Sequence, residues 1–123
     1  VIDFKSFASL ASIDLGELQP KPTSISGDQR EASQTLWTSD DGLLEIGVWE
    51  CTPGRFTAAR DGNSETCHFV SGSVTLHNAD GSSQTMGPGE LLVLPQGWRG
   101  EWTIHEHTRK LYILHFPAPV AAV

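Results

Sequence analysis

The chain has 123 residues, a formal charge of −7, 38% hydrophobic and 19% charged residues. That length fits one domain burying roughly two-thirds of its unfolded surface, and the composition excludes a disordered chain. The acidic balance argues against a nucleic-acid surface or an anionic membrane face, and no apolar run nears the ~20 residues that span a bilayer.

Residues 1–30 read as an N-terminal arm, packed over the body of the domain or over a partner subunit. Phe4, Phe7 and Leu10 have helical spacing, but "LQPKPTS" stops any helix. "VIDFKSFASLASI" is interrupted by Asp3, Lys5 and serines, which makes it a poor secretory signal. The absence of an initiator Met points to processing or trimming.

From about residue 34 the pattern is β. "LLEIGVWEC" alternates, with Leu44, Ile46 and Val48 on one face and Glu45, Gly47 and Trp49 on the other. Trp37 and Trp49 read as core. "ETCHFVSGSVTLHN" predicts long strand structure with Gly72 as a bend or bulge. "NADGSS" is a hairpin tip, because Asp-Gly supplies the positive φ of such turns. "LLVLP" is a continuous apolar run of the kind buried on both faces, and "GEWTIHEH" and "RKLYILHF" follow as two further strands. A proline-broken tail closes the chain. Many short strands between turn signals predict an all-β sandwich or barrel spanning residues 31–118, with a tail at 119–123.

Four segments in order, "GVWECTPGRF", "ETCHFVSGSVTL", "LPQGWRGEW" and "RKLYIL", resemble the cupin superfamily. More narrowly, they are similar to the cupin domain type named after (S)-ureidoglycine aminohydrolase. The resemblance covers about residues 27–116 and implies a single-domain double-stranded β-helix, a jelly-roll barrel, commonly dimeric. It also implies a divalent metal held by three histidines and a glutamate. Here Glu65 matches the glutamate position. The first two histidine positions fall on Ala59 and Asp61, or on Arg60 and Gly62, and the third falls on Gly100. The standard metal site is therefore not expected, and no cofactor is predicted. His105 and His107, two residues apart, share one strand face and form a plausible half-site for a divalent metal; a solvated strand end is the plainer reading.

Glu65, Cys67 and Phe69 share the face that would line the barrel. A carboxylate there should have a raised pKa unless paired, making Glu65 a candidate general acid or base; the alternative is an ion pair with Lys110 or an arginine. Cys67 is a candidate ligand contact or nucleophile. Trp98, Arg99 and Trp102 are placed at the barrel mouth, where aromatic walls and a guanidinium suit a small planar or carboxylated ligand. Lys110 and Tyr112 share a face and would orient that ligand. Cys51 and Cys67 read as free thiols of a cytoplasmic protein, with a bridge between neighbouring strands as the alternative. Three functions remain open: an enzyme on a small polar metabolite, a non-catalytic small-molecule sensor, and a structural homodimer.

Overall fold

The computed structural model describes residues 1–117, so the predicted tail at 119–123 lies outside the described residues. Among the described residues, eight strands carry the architecture: β1 (Gln19–Pro20), β2 (Arg30–Thr38), β3 (Leu44–Cys51), β4 (Gly54–Ala59), β5 (Ser64–Asn78), β6 (Ser83–Met86), β7 (Leu91–Leu94) and β8 (Arg99–His115). All pairings are antiparallel. The main path runs β1-β2-β3-β8-β5-β6, with β4 joined to β8 and β7 joined to β5.

The two long strands, β5 and β8, turn this path into a closed jelly roll. The second half of β8 pairs with β3 and with the first half of β5, while its first half pairs with β4 and with the second half of β5. Both strands therefore belong to two sheets and bend at the corner between them, as corner strands do. The register of β5 against β8 slips between Phe69 and Val74, and Gly72 sits in this slip at φ 98°. A Cβ at Gly72 would run into the Thr108 side chain and the His107 carbonyl, so only glycine permits this approach. The stretches expected as two strands, "GEWTIHEH" and "RKLYILHF", are one bent strand, because the corner changes partners without breaking the chain.

Both sheets contribute to the main core. Trp49, Cys67 and Phe69 come from one side, and Phe56, Val74, Leu76, Trp102 and Ile104 from the other. Fully burying each of the large apolar side chains is worth ~1.5–3 kcal/mol. A second, smaller cluster lies outside the barrel: Leu15 with Ala32 and Val48, flanked by Leu10, Ile13, Leu18 and Leu36. It packs the arm onto the outer face of β2 and β3. Arg109 fastens the arm further, its Nη1 donating to the carbonyls of Leu10 (3.0 Å) and Ile13 (2.7 Å).

The apolar run at β7 departs from expectation. Leu94 is buried, but Leu91 is 60% and Val93 55% exposed. This strand pairs only with β5 and has one covered face, so its alternate side chains point outward.

Candidate functional site

The inner face is fixed by register. Glu45 and Glu65 both lie opposite Leu114 of β8, one on each side, and Trp49 and Phe69 both lie opposite Lys110. These rows, apart from Phe69, line an open cavity of about 600 Å³ together with β2, β4 and the arm. Its apolar floor is Trp49, Phe56 and Trp102. Phe56 and Trp102 stack at 5.7 Å between ring centres, and Trp49 meets each of them edge-on at 6.0 Å. Trp49 thus serves both the core and the cavity wall, a role the sequence reading did not assign to it.

Two ammonium groups rest on this floor. Lys110 Nζ lies 4.4 Å from the ring centres of both Trp49 and Trp102 and donates to Glu65 Oε2 at 3.0 Å. Lys21 Nζ, from the arm, lies 4.1 Å from the Phe56 ring centre and donates to Glu31 Oε1 at 2.8 Å. Trp49 Nε1 donates to the same Glu31 oxygen at 2.9 Å. Ammonium groups over aromatic faces gain cation–π attraction, which is largest where water is excluded.

Glu65 is buried and shared. Its Oε1 also faces Arg60 Nη1 at 3.7 Å. Burial pushes its pKa up, but the charge and hydrogen bond of Lys110, with Arg60 behind them, bring it below the ordinary carboxylate range. The raised pKa expected of an unpaired Glu65 is therefore absent; the pairing reverses the shift. Burial works against the Lys110 ammonium, while the Cys67 and Glu65 side chains facing it hold its pKa above the usual value. Both partners are charged at neutral pH, so Glu65 has no proton to donate as a general acid. Burial and the nearby Glu45 keep the Tyr112 phenol above its usual pKa, leaving a neutral hydroxyl on the cavity wall.

The other predicted residues divide. Lys110, Tyr112, Trp102, Glu65 and Arg99 line the cavity, with Arg99 on the rim, its Nη2 donating to both carboxylate oxygens of Asp61 at 2.8 and 2.9 Å. Cys67 does not reach it. Its thiol is wholly buried in the core, and burial pushes its pKa up to about 12, which disables it as a nucleophile. Both cysteines are free and buried. Trp98 is also displaced from its expected place at the mouth. Its Nε1 donates to Asn78 Oδ1 at 2.8 Å and its ring packs against the core from the β5–β6 hairpin side. Lys21, Glu31, Ser33 and Glu45 line the cavity and were not anticipated. On β2 the polar residues that alternate with buried ones look like a solvent face, and nothing local distinguishes the two.

The three-histidine, one-glutamate metal set of cupins does not fit these residues. Lys110 and Arg60 already flank Glu65, so a cation there would face two positive charges. At the third histidine position, the Trp98 ring and the His77 carbonyl occupy the space that a side chain on Gly100 would need. His105 and His107 do not converge either: His105 Nε2 is 2.7 Å from Thr75 Oγ1, and His107 Nε2 is 2.8 Å from Glu50 Oε1. No cluster of three or more His, Cys, Asp or Glu suited to a metal occurs among the described residues.

Residues 38–112, more than half of the chain, match the EutQ-like cupin domain family. The chain belongs to that family. A protein of unknown function from Pseudomonas syringae pv. tomato is 30% identical, with a TM-score of 0.69, over 81% of this chain and 45% of its own length. This chain thus spans less than half of that relative. A structure from Thermotoga maritima is 34% identical over 53% of this chain and 73% of that one, with a TM-score of 0.50. The EutQ protein of Clostridium difficile shares the fold, with a TM-score of 0.63 at 21% identity over 74% of this chain and 65% of that one. No curated protein gives a significant match. This is a cupin-domain protein with no assigned activity, and no described helix is long and apolar enough to cross a membrane.

Proposed function

We propose that this cupin domain binds a small polar metabolite in the barrel cavity, independently of the three-histidine metal site. The supporting observation is the open cavity of about 600 Å³ that reaches Glu65, Lys110 and Tyr112 over an aromatic floor. A pocket of that size with a few convergent polar groups is the usual form of a small-molecule site. Glu65 and Lys110 serve as a fixed charged wall, which favours binding over acid–base turnover. The four segments similar to the ureidoglycine aminohydrolase type support a kinship of fold with it, but its metal-dependent chemistry is not carried over.

Ser33 is exposed on the cavity lining, so Ser33→Trp fills the space without touching the core. A metabolite panel screened by thermal shift should stabilise the wild type and leave this variant unmoved. Equal shifts in both proteins would place binding elsewhere, and product formed from any hit would restore the enzyme reading.

Homodimerisation is proposed as a second property, favoured by the outward-facing Leu91 and Val93 of β7. A monomer in sedimentation at micromolar concentration would remove it. Two free buried thiols are in keeping with a reducing compartment such as the cytoplasm.

A further inference from the structure

The charges of the cavity do not cancel locally. Lys21 is neutralised by Glu31 and Arg99 by Asp61. Glu65 is nearest to Lys110 at 3.0 Å and reaches Arg60 only at 3.7 Å. One carboxylate thus serves two cations, and Arg60 keeps donor capacity; its other contacts are the Asn63 side chain at 3.3 Å and its own Ala59 carbonyl. Arg60 is also held in place by its backbone: its N–H donates to the Trp98 carbonyl at 2.8 Å, and its carbonyl accepts from Gly97 at 2.7 Å.

The β3 wall carries the opposite surplus. The Glu45 carboxylate is matched with no cation among the described residues. Its one side-chain hydrogen bond is a long one from the Tyr112 hydroxyl, at 3.4 Å. Glu45 and Glu65 flank Leu114 on either side of β8. Strand spacing sets their backbones about 10 Å apart, and the Glu45, Glu65 and Arg60 side chains all line the same cavity.

Resting on the reading of the cavity as a binding site, we infer that its ligand is a small zwitterion of the amino-acid class. Its carboxylate pairs with Arg60 and its protonated amine with Glu45, in the cavity lined by Lys110, Trp49 and Trp102. A guanidinium suits a carboxylate through paired N–H donors, and a half-buried carboxylate left without a cation suits an ammonium. A ligand with a single charge satisfies one wall and leaves the other unmatched.

The test is calorimetric titration and thermal shift on the full chain. The probes are the common α-amino acids, β-alanine and γ-aminobutyrate, with propionate, butyrate and propylamine as single-charge controls. At least one zwitterion should bind about tenfold or more tightly than its single-charge counterparts, the scale of one charged hydrogen bond. Glu45→Gln should remove that advantage while leaving the carboxylates' affinity unchanged. Arg60→Gln should weaken zwitterions and carboxylates alike. Melting temperatures without ligand check that both variants are folded. Equal binding of matched zwitterions and carboxylates, or an indifferent Glu45→Gln, overturns the inference. Binding of only a neutral or singly charged compound, lost in Ser33→Trp, overturns it while keeping the cavity as a binding site. No binding by any compound removes both.

Discussion

Arg109 and Lys110 are neighbours on β8 whose side chains leave opposite faces of the sheet, and each meets a glutamate. On the outer face, Arg109 Nη2 donates to Glu50 Oε2 at 2.8 Å while Nη1 binds two arm carbonyls. On the inner face, Lys110 donates to Glu65 and lies over two indole rings. Arg109 is a fastener whose donors are taken up by Glu50 and by the backbone of the arm. Lys110 belongs to a group in which two cations share one carboxylate at the edge of a cavity. Similar chemistry is closed in one place and open in the other, and what differs is whether a chain segment covers it.

The largest effect should come from breaking the inner pair. Lys110→Met leaves Glu65 buried with only Arg60 at a distance, and should cost about 3–5 kcal/mol in chemical denaturation. The double variant Lys110→Met/Glu65→Leu should recover most of that loss, because no uncompensated charge remains. A single variant as stable as wild type would mean the cavity is wet enough to solvate Glu65.

Arg109→Met should cost less, about 2 kcal/mol, because Glu50 keeps its hydrogen bond to His107. Its distinguishing sign is local: the arm should become sensitive to limited proteolysis before residue 19 while the barrel stays resistant. If Lys110→Met exposes the arm equally, the two faces are not independent and the contrast fails.

The smallest effect should be in the pH profile. The Glu65 pKa is lowered by folding, so its pairing contributes above the unfolded value of about 4.5 and is lost as pH falls through the lower folded pKa. The Lys110 pKa is raised, so its contribution is present below about 10.5 and is lost as pH rises beyond that towards the folded value. Melting temperature against pH should therefore fall more steeply at both extremes in wild type than in Lys110→Met/Glu65→Leu. Parallel profiles would show that the inner pair adds no stability linked to protonation.

Much of the fold was legible in the sequence. The alternation in "LLEIGVWEC" put Glu45 and Trp49 on one face, and that face is the cavity side. The spacing of Glu65, Cys67 and Phe69 was read as inward, and all three side chains are buried. Legibility failed where alternation is ambiguous. "LLVLP" looks buried on both faces, but β7 has a neighbour on one edge and a cover on one face only, so Leu91 and Val93 are exposed. Trp98 follows a turn, and the turn sends its ring to Asn78 and the core instead of the mouth.

The sequence by itself determined the strands, their turns and which residues share a face, because these depend on periods of two and on local backbone preferences. Only the tertiary structure decided that Lys21 of the arm meets Glu31, that Glu65 is shared by Lys110 and Arg60, and that Glu45 meets no cation among the described residues. Those residues lie on separate segments brought together when β5 and β8 bend and close the barrel. Charge pairing depends on distance and burial after closure, and no local pattern along the chain encodes either.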